Sequence, residues 1–154
     1  MIKDFNAIVN SIKNEGVSFL TDNMSIEIIN IEFVNQIFLD NHISTIKLIG
    51  KYNITIIISI DDNLFSSLFD KFFQTMLSCE EQQELKSELP NEIINTIVGL
   101  SIQYFPKKYD DMILQPPIQI EKERLDKFLS SKESNKFKIV TSDGSLDFLI
   151  VLSE

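Results

Sequence analysis

The residues whose types and spacing carry chemistry lie between Glu88 and Gln103, in the run ELPNEIINTIVGLSIQ. Ile93, Ile94, Ile97, Val98 and Ile102 recur at helical spacing and predict an apolar stripe fit for a core. Glu88, Glu92, Asn95, Gly99 and Gln103 fall at i, i+4, i+7, i+11 and i+15, so they line the opposite stripe. A carboxylate and a carboxamide one turn apart, with a glycine one turn further on, make a polar strip that another molecule can approach closely. The rest of the chain offers less. His42 is the single histidine and has no acid–nucleophile set in its neighbourhood of sequence, so it reads as a loop or strand-end residue. Cys79 is alone, which excludes an intrachain disulfide, and no basic residue adjoins it in sequence to activate the thiol. Asp61-Asp62 and Asp110-Asp111 are explained by a helix cap and a loop. Zinc spacing, a phosphate-cradling glycine loop and a nucleophile elbow are absent from the sequence.

The elements that must position the strip follow from periodicity. Phe5, Ile8, Val9 and Ile12 predict an opening helix that stops at Gly16. Ile26–Leu39 and Ile43–Ile49 are rich in Ile, Val, Phe and Thr and predict strands. A turn at Gly50-Lys51-Tyr52-Asn53 leads to Ile54–Ile60, whose unbroken apolar run predicts a central strand buried on both faces. Asp61 or Asp62 caps a helix with Leu64, Phe65, Leu68, Phe72 and Phe73 on its inner side. Ser78-Cys79-Glu80-Glu81 has capping-box spacing and opens the stretch that leads into the strip. Pro90 either kinks one long helix there or starts a second one capped by Ser87. Met112–Ile120, with Pro116-Pro117, reads as an extended segment near an edge, and a short helix spans Arg124–Leu129. Phe137–Thr141 and Leu146–Leu152 flank a hairpin turn at Asp143-Gly144. The order α-β-β-β-α-α-β-α-β-β predicts an α+β fold with helices packed on a mostly antiparallel sheet, in one domain over residues 1–154.

A net charge of −9 argues against phosphate backbones and hence against nucleic-acid partners. No apolar run approaches membrane-spanning length, and the N-terminus lacks a secretory pattern, so the expected setting is cytoplasmic, without a membrane partner.

The stretch from Ile43 to Pro117 resembles the CheX branch of the CheC/CheX/FliY phosphatases of bacterial chemotaxis. Their signature is an acidic or serine residue, three residues, Glu, two residues, Asn, and Gly four further on. Glu92, Asn95 and Gly99 match it. Bare Glu-x-x-Asn also occurs at Glu27/Asn30, Glu32/Asn35 and Glu88/Asn91, but only Glu92/Asn95 has the glycine at the right offset. Pro116-Pro117 resembles the downstream proline of the family, one residue closer to Asn95 than usual. Glu88 stands where the family has Asp or Ser, and Pro90 inside the motif is a second departure. The opening helix reads Asp4-Phe5-Asn6-Ala7-Ile8-Val9-Asn10, with no glutamate before its asparagines, so the resemblance implies one site per chain.

This resemblance implies a CheC/CheX-like fold, a homodimer, and hydrolysis of the aspartyl phosphate of a phosphorylated response regulator. Its catalytic residues are then Glu92 and Asn95, with Glu88 and Gly99 contacting the partner. No metal or other cofactor is expected on this chain, because the Mg²⁺ belongs to the response regulator. The alternative is a module that binds a response regulator without turning it over.

Overall fold

The computed structural model describes residues 2–36, 39, 42–73, 78–109, 111–119, 124–125 and 133–153. Helix α1 (Ile2–Ser18) buries Phe5, Ile8, Val9 and Ile12, as their spacing predicts. It does not stop at Gly16. A Cβ there would lie 3.3 Å from the Phe148 ring and 3.4 Å from Ile139, so this glycine lets the helix press close to the sheet. Packing outweighs helix propensity at that position. The helix instead widens into a π-helical turn, Phe19–Asn23, closed by Met24 N–H donating to Phe19 O. Lys71 Nζ donates to Met24 O at 2.7 Å and pins the exit.

Strand β1 (Ile28–Phe33) is shorter than the predicted Ile26–Leu39. Among the described residues it pairs only with β5, at the edge of the sheet, and a bulge interrupts its register between Ile28 and Asn30. Residues 37 and 38 of the predicted strand lie outside the described residues. Strands β2 (His42–Ile49) and β3 (Asn53–Ile60) form a hairpin around Gly50-Lys51-Tyr52. Helix α2 (Asp62–Phe72) is capped by Asp61, whose carboxylate accepts from Leu64 N–H at 2.8 Å. It buries Phe69 along with Leu64, Phe65 and Leu68, whereas Phe72 and Phe73 pack only partly.

Helix α3 (Cys79–Ser101) starts at Ser78, whose hydroxyl accepts from Glu81 N–H. Pro90 lies inside this single helix. Ser87 is no cap, since its hydroxyl donates back to Glu84 O, as mid-helix serines do.

The chain then returns as β4 (Ile113–Leu114), on the edge next to β2, and bridges again at Thr45 and Ile118. Of the predicted helix Arg124–Leu129, only Arg124 and Leu125 are described, both helical; the rest lies outside the described residues, as does Ile120. Strands β5 (Ser134–Thr141) and β6 (Gly144–Ser153) close the sheet. Their turn residues are Ser142 and Asp143, with Gly144 opening β6. The expected Asp143-Gly144 turn is thus displaced by one residue. Gly144 has φ +139°, and a Cβ there would sit 2.2 Å from the Asp61 carboxylate. That carboxylate also accepts from Ser145 N–H at 2.8 Å, which joins the α2 cap to the hairpin.

The architecture is α+β, as the sequence predicts. Six antiparallel strands run in the order β1-β5-β6-β3-β2-β4 among the described residues. The central β3 is buried from Ile54 to Ile60. Its Ile54, Ile56, Ile58 and Ile60 face the three helices. Ile57 turns the other way, into a smaller apolar cluster with Leu125, Leu149 and Val151.

Candidate functional site

Helix α3 presents two chemically opposed faces. Leu89, Pro90, Ile93, Ile94, Ile97, Val98 and Ser101 are buried, and they fix which way the helix faces. Glu88, Glu92, Asn95, Gly99 and Gln103 are all exposed. The structure therefore brings the predicted site residues onto one open strip. Glu92 and Asn95 are separated by about 4.5 Å along the axis, near enough to touch one small group together. Among the described residues, neither the Asn95 carboxamide nor the Glu88 and Glu92 carboxylates have a hydrogen-bond or ion-pair partner. These polar groups are held at a rigid surface with their bonding capacity turned outward.

Gly99 adds a second observation. A mid-helix glycine costs about 1 kcal/mol relative to alanine. Its cause is not internal packing here, because a Cβ at Gly99 would meet only Leu114 Cδ2, at 3.9 Å. The clearance it leaves is on the solvent side, beside Asn95. Leu100 and Tyr104 are exposed near that end, and Tyr104 O accepts from Ser11 Oγ of α1. Gln103 donates to Leu100 O at 3.0 Å, so it finishes the helix rather than extending the strip.

Three residues that the sequence does not single out support the strip from behind. Asn91 reads as plain surface in the sequence, yet it is half-buried and its Oδ1 accepts from Ser44 Oγ at 2.5 Å. Ser44 is fully buried on β2. Gln119 Nε2 donates to Ser87 O at 2.9 Å, one turn earlier on α3. Their only sequence signal is that Asn91 precedes Asn95 by one helical turn; Ser44 and Gln119 are distant in the chain and carry none.

The remaining candidates are occupied elsewhere. His42 opens β2, stacks on Phe65 at 3.7 Å and has Nε2 2.8 Å from Asp62 Oδ1. With Ser66, Phe69, Asp70 and Lys86 they line an open recess on the α2 side. Asp61 is consumed by its cap, Cys79 is an exposed residue in the first turn of α3, and Asp110 lies outside the described residues. Among the described residues, no group of three or more His, Cys, Asp or Glu is placed to hold a metal ion, and no helix is long and apolar enough to cross a membrane.

Comparison with known proteins bears on this strip. The family profile described as chemotaxis phosphatase CheX matches residues 42–140, which include β2, β3, all of α3 and most of β5. The chain belongs to the CheX family. No curated protein matches its sequence. Among solved structures, a chain of the CheX–CheY–BeF3–Mg²⁺ complex from Borrelia burgdorferi is similar, with a TM-score of 0.73 and 20% identity over 95% of this chain and 97% of that one. The chemotaxis protein CheX from Vibrio vulnificus gives 0.70 and 13% identity over 95% and 96%. A CheC-like superfamily protein from a Shewanella species gives 0.67 and 15% over 100% and 99%. At these identities the likeness is one of fold. It covers the whole CheX-like architecture, including the helix that carries Glu92 and Asn95.

Proposed function

We propose that this CheX-family chain, as one domain over residues 1–154, hydrolyses the aspartyl phosphate of a phosphorylated response regulator, with one site per chain. The observation that carries the reading is the open Glu92–Asn95–Gly99 strip on the helix matched by the family profile. The partner class is supported by the similar Borrelia structure, a complex of CheX with CheY.

The chemistry fits the residues. An acyl phosphate is already a high-energy bond, and its transfer passes through a loose transition state, so positioning a water matters more than a strong base. The Asn95 carboxamide oxygen accepts a hydrogen bond from that water and, being neutral, does not repel the phosphoryl group. The Glu92 carboxylate would repel the phosphoryl unless paired. Its role is to bind the lysine that response regulators hold beside the phosphoaspartate, and so to set docking. Glu88 extends this contact by one turn, and Gly99 lets the partner backbone come close. The Mg²⁺ is the regulator's, and this chain supplies no cofactor.

We place the protein in the cytoplasm as a homodimer joined through sheet edges. Ile29 and Phe33 on the β1 edge and Ile113 on the β4 edge are more than half exposed in the single chain.

The test is dephosphorylation of candidate response regulators labelled by a small phosphodonor. Accelerated loss of label by a catalytic amount of this protein is the expected result. Saturable binding of the labelled regulator with no acceleration would replace this reading with that of a non-catalytic binding module.

A further inference from the structure

Pro90 cuts the hydrogen-bond ladder of α3 just ahead of the site. It has no N–H, so the Lys86 carbonyl loses the helical partner that residue 90 would supply. The turn between Lys86 and Pro90 therefore lacks one backbone hydrogen bond that an uninterrupted helix has. Glu92, Asn95 and Gly99 lie beyond it.

That turn and the residue just beyond it are both tied to the same strand. On the far side, Ser44 Oγ donates to Asn91 Oδ1 at 2.5 Å, directly from β2. Within the turn itself, Gln119 Nε2 donates to Ser87 O at 2.9 Å. Gln119 follows Ile118, whose N–H and C=O both pair with Thr45, the next residue of β2. A proline-weakened turn is thus held from within and at its far end by polar bonds that lead back to Ser44 and Thr45.

Apolar packing alone does not set helix rotation sharply. The contacts of Ile93, Ile94, Ile97 and Val98 are non-directional, and a roll of about 10° keeps all four in the core. Taking side-chain ends at roughly 7 Å from the axis, such a roll moves them by about 1.2 Å. A displacement near 1 Å at a reacting centre costs on the order of a hundredfold in rate. A hydrogen bond is directional and removes that freedom. We infer that Ser44, Asn91 and Gln119 are positioning residues that hold the Glu92–Asn95 half of α3 in rotation across the turn weakened by Pro90. The catalytic consequence rests on the phosphatase reading above; the conformational one does not.

The experiment compares wild type with Ser44→Ala, Gln119→Ala, Asn91→Leu, Asn91→Asp and the double variant Ser44→Ala/Pro90→Ala. Hydrogen exchange of the amides from 91 to 95 is the first readout. Loss of one bond of this kind makes exchange there about tenfold faster in Ser44→Ala and Asn91→Leu, with α1 and α2 unchanged. Gln119→Ala, which frees the Ser87 carbonyl, speeds the same amides. Asn91→Asp keeps an oxygen to accept from Ser44 and stays near wild type. Pro90→Ala restores a backbone N–H, so the double variant recovers protection. The second readout is steady-state kinetics on a phosphorylated regulator, where Ser44→Ala lowers kcat/KM about tenfold and the double variant regains it. Wild-type exchange at 91–95 in Ser44→Ala overturns the inference, as does faster exchange spread evenly over all three helices. If wild type turns over no regulator, the phosphatase reading falls and the exchange data alone decide the positioning.

Discussion

Replacing Asn95 by alanine moves activity and stability in opposite directions. Asn95 is exposed, in the interior of α3, with no side-chain bond to another described residue. Its removal opens no cavity and orphans no partner. Alanine is the better helix former by about 0.6 kcal/mol, so the variant is slightly more stable than wild type. For a chain of this size that amounts to a rise of about 1–2 °C in Tm. Turnover responds the other way. The amide oxygen is the group assigned to the attacking water, and loss of one preorganised hydrogen-bonding group at a reacting centre costs about 3 kcal/mol, or on the order of a hundredfold in kcat. Asn95→Asp has nearly the same shape but sets a negative charge against the phosphoryl group, and it loses activity as well. The assay follows decay of a regulator labelled by a small phosphodonor, beside thermal unfolding of the same preparations. A folded Asn95→Ala protein with near-wild-type turnover refutes the water-positioning role. A fall of several degrees in Tm refutes the claim that this side chain does no structural work.

Four further outcomes follow from named contacts. Glu92→Lys weakens binding to the phosphorylated regulator, most strongly at low ionic strength where charges are least screened; equal affinity at low salt shows that Glu92 does not meet a cation. Gly144→Ala forces a Cβ to within 2.2 Å of the Asp61 carboxylate at φ +139°, so it disturbs the α2 cap and strains the backbone, for a loss of about 2–4 kcal/mol by denaturant unfolding. At high pH, burial holds the Tyr109 phenol above its ordinary pKa, and the hydrogen bond to Asp4 does the same for Lys108. Both groups bind their protons more tightly folded than unfolded, so their contributions are intact below about pH 10 and fade as pH rises through the folded values. Tyr109→Phe therefore loses stability less steeply than wild type above that pH, as unfolding at several alkaline pH values will show. Light scattering at tens of micromolar gives a dimer mass, and a monomer mass rules out the edge-to-edge assembly.

What the sequence determined by itself is the part governed by short-range periodicity. The apolar stripe from Ile93 to Val98 left Glu92, Asn95 and Gly99 nowhere to go but outward, because a 3.6-residue repeat puts the isoleucines on one face and these residues on the other. The same logic located β3, whose run of isoleucines suits only a central strand, and the caps at Ser78 and at Asp61 or Asp62, of which the structure uses Asp61, where a side chain serves its own neighbouring amides.

What only the tertiary structure decided depends on partners far apart in the chain. Gly16 reads as a helix stop in isolation, but Phe148 and Ile139 reach it across the fold and turn it into a contact point. Gly144 reads as a turn residue, and the Asp61 carboxylate, 83 positions away in sequence, is what requires it. Pro90 reads equally as a kink or a new start; burial of Leu89 and Pro90 in the core keeps α3 one helix. Asn91 reads as surface until β2 brings Ser44 beneath it. Local spacing selects which face of an element is buried, whereas a directional contact to a distant strand sets how firmly that face is held.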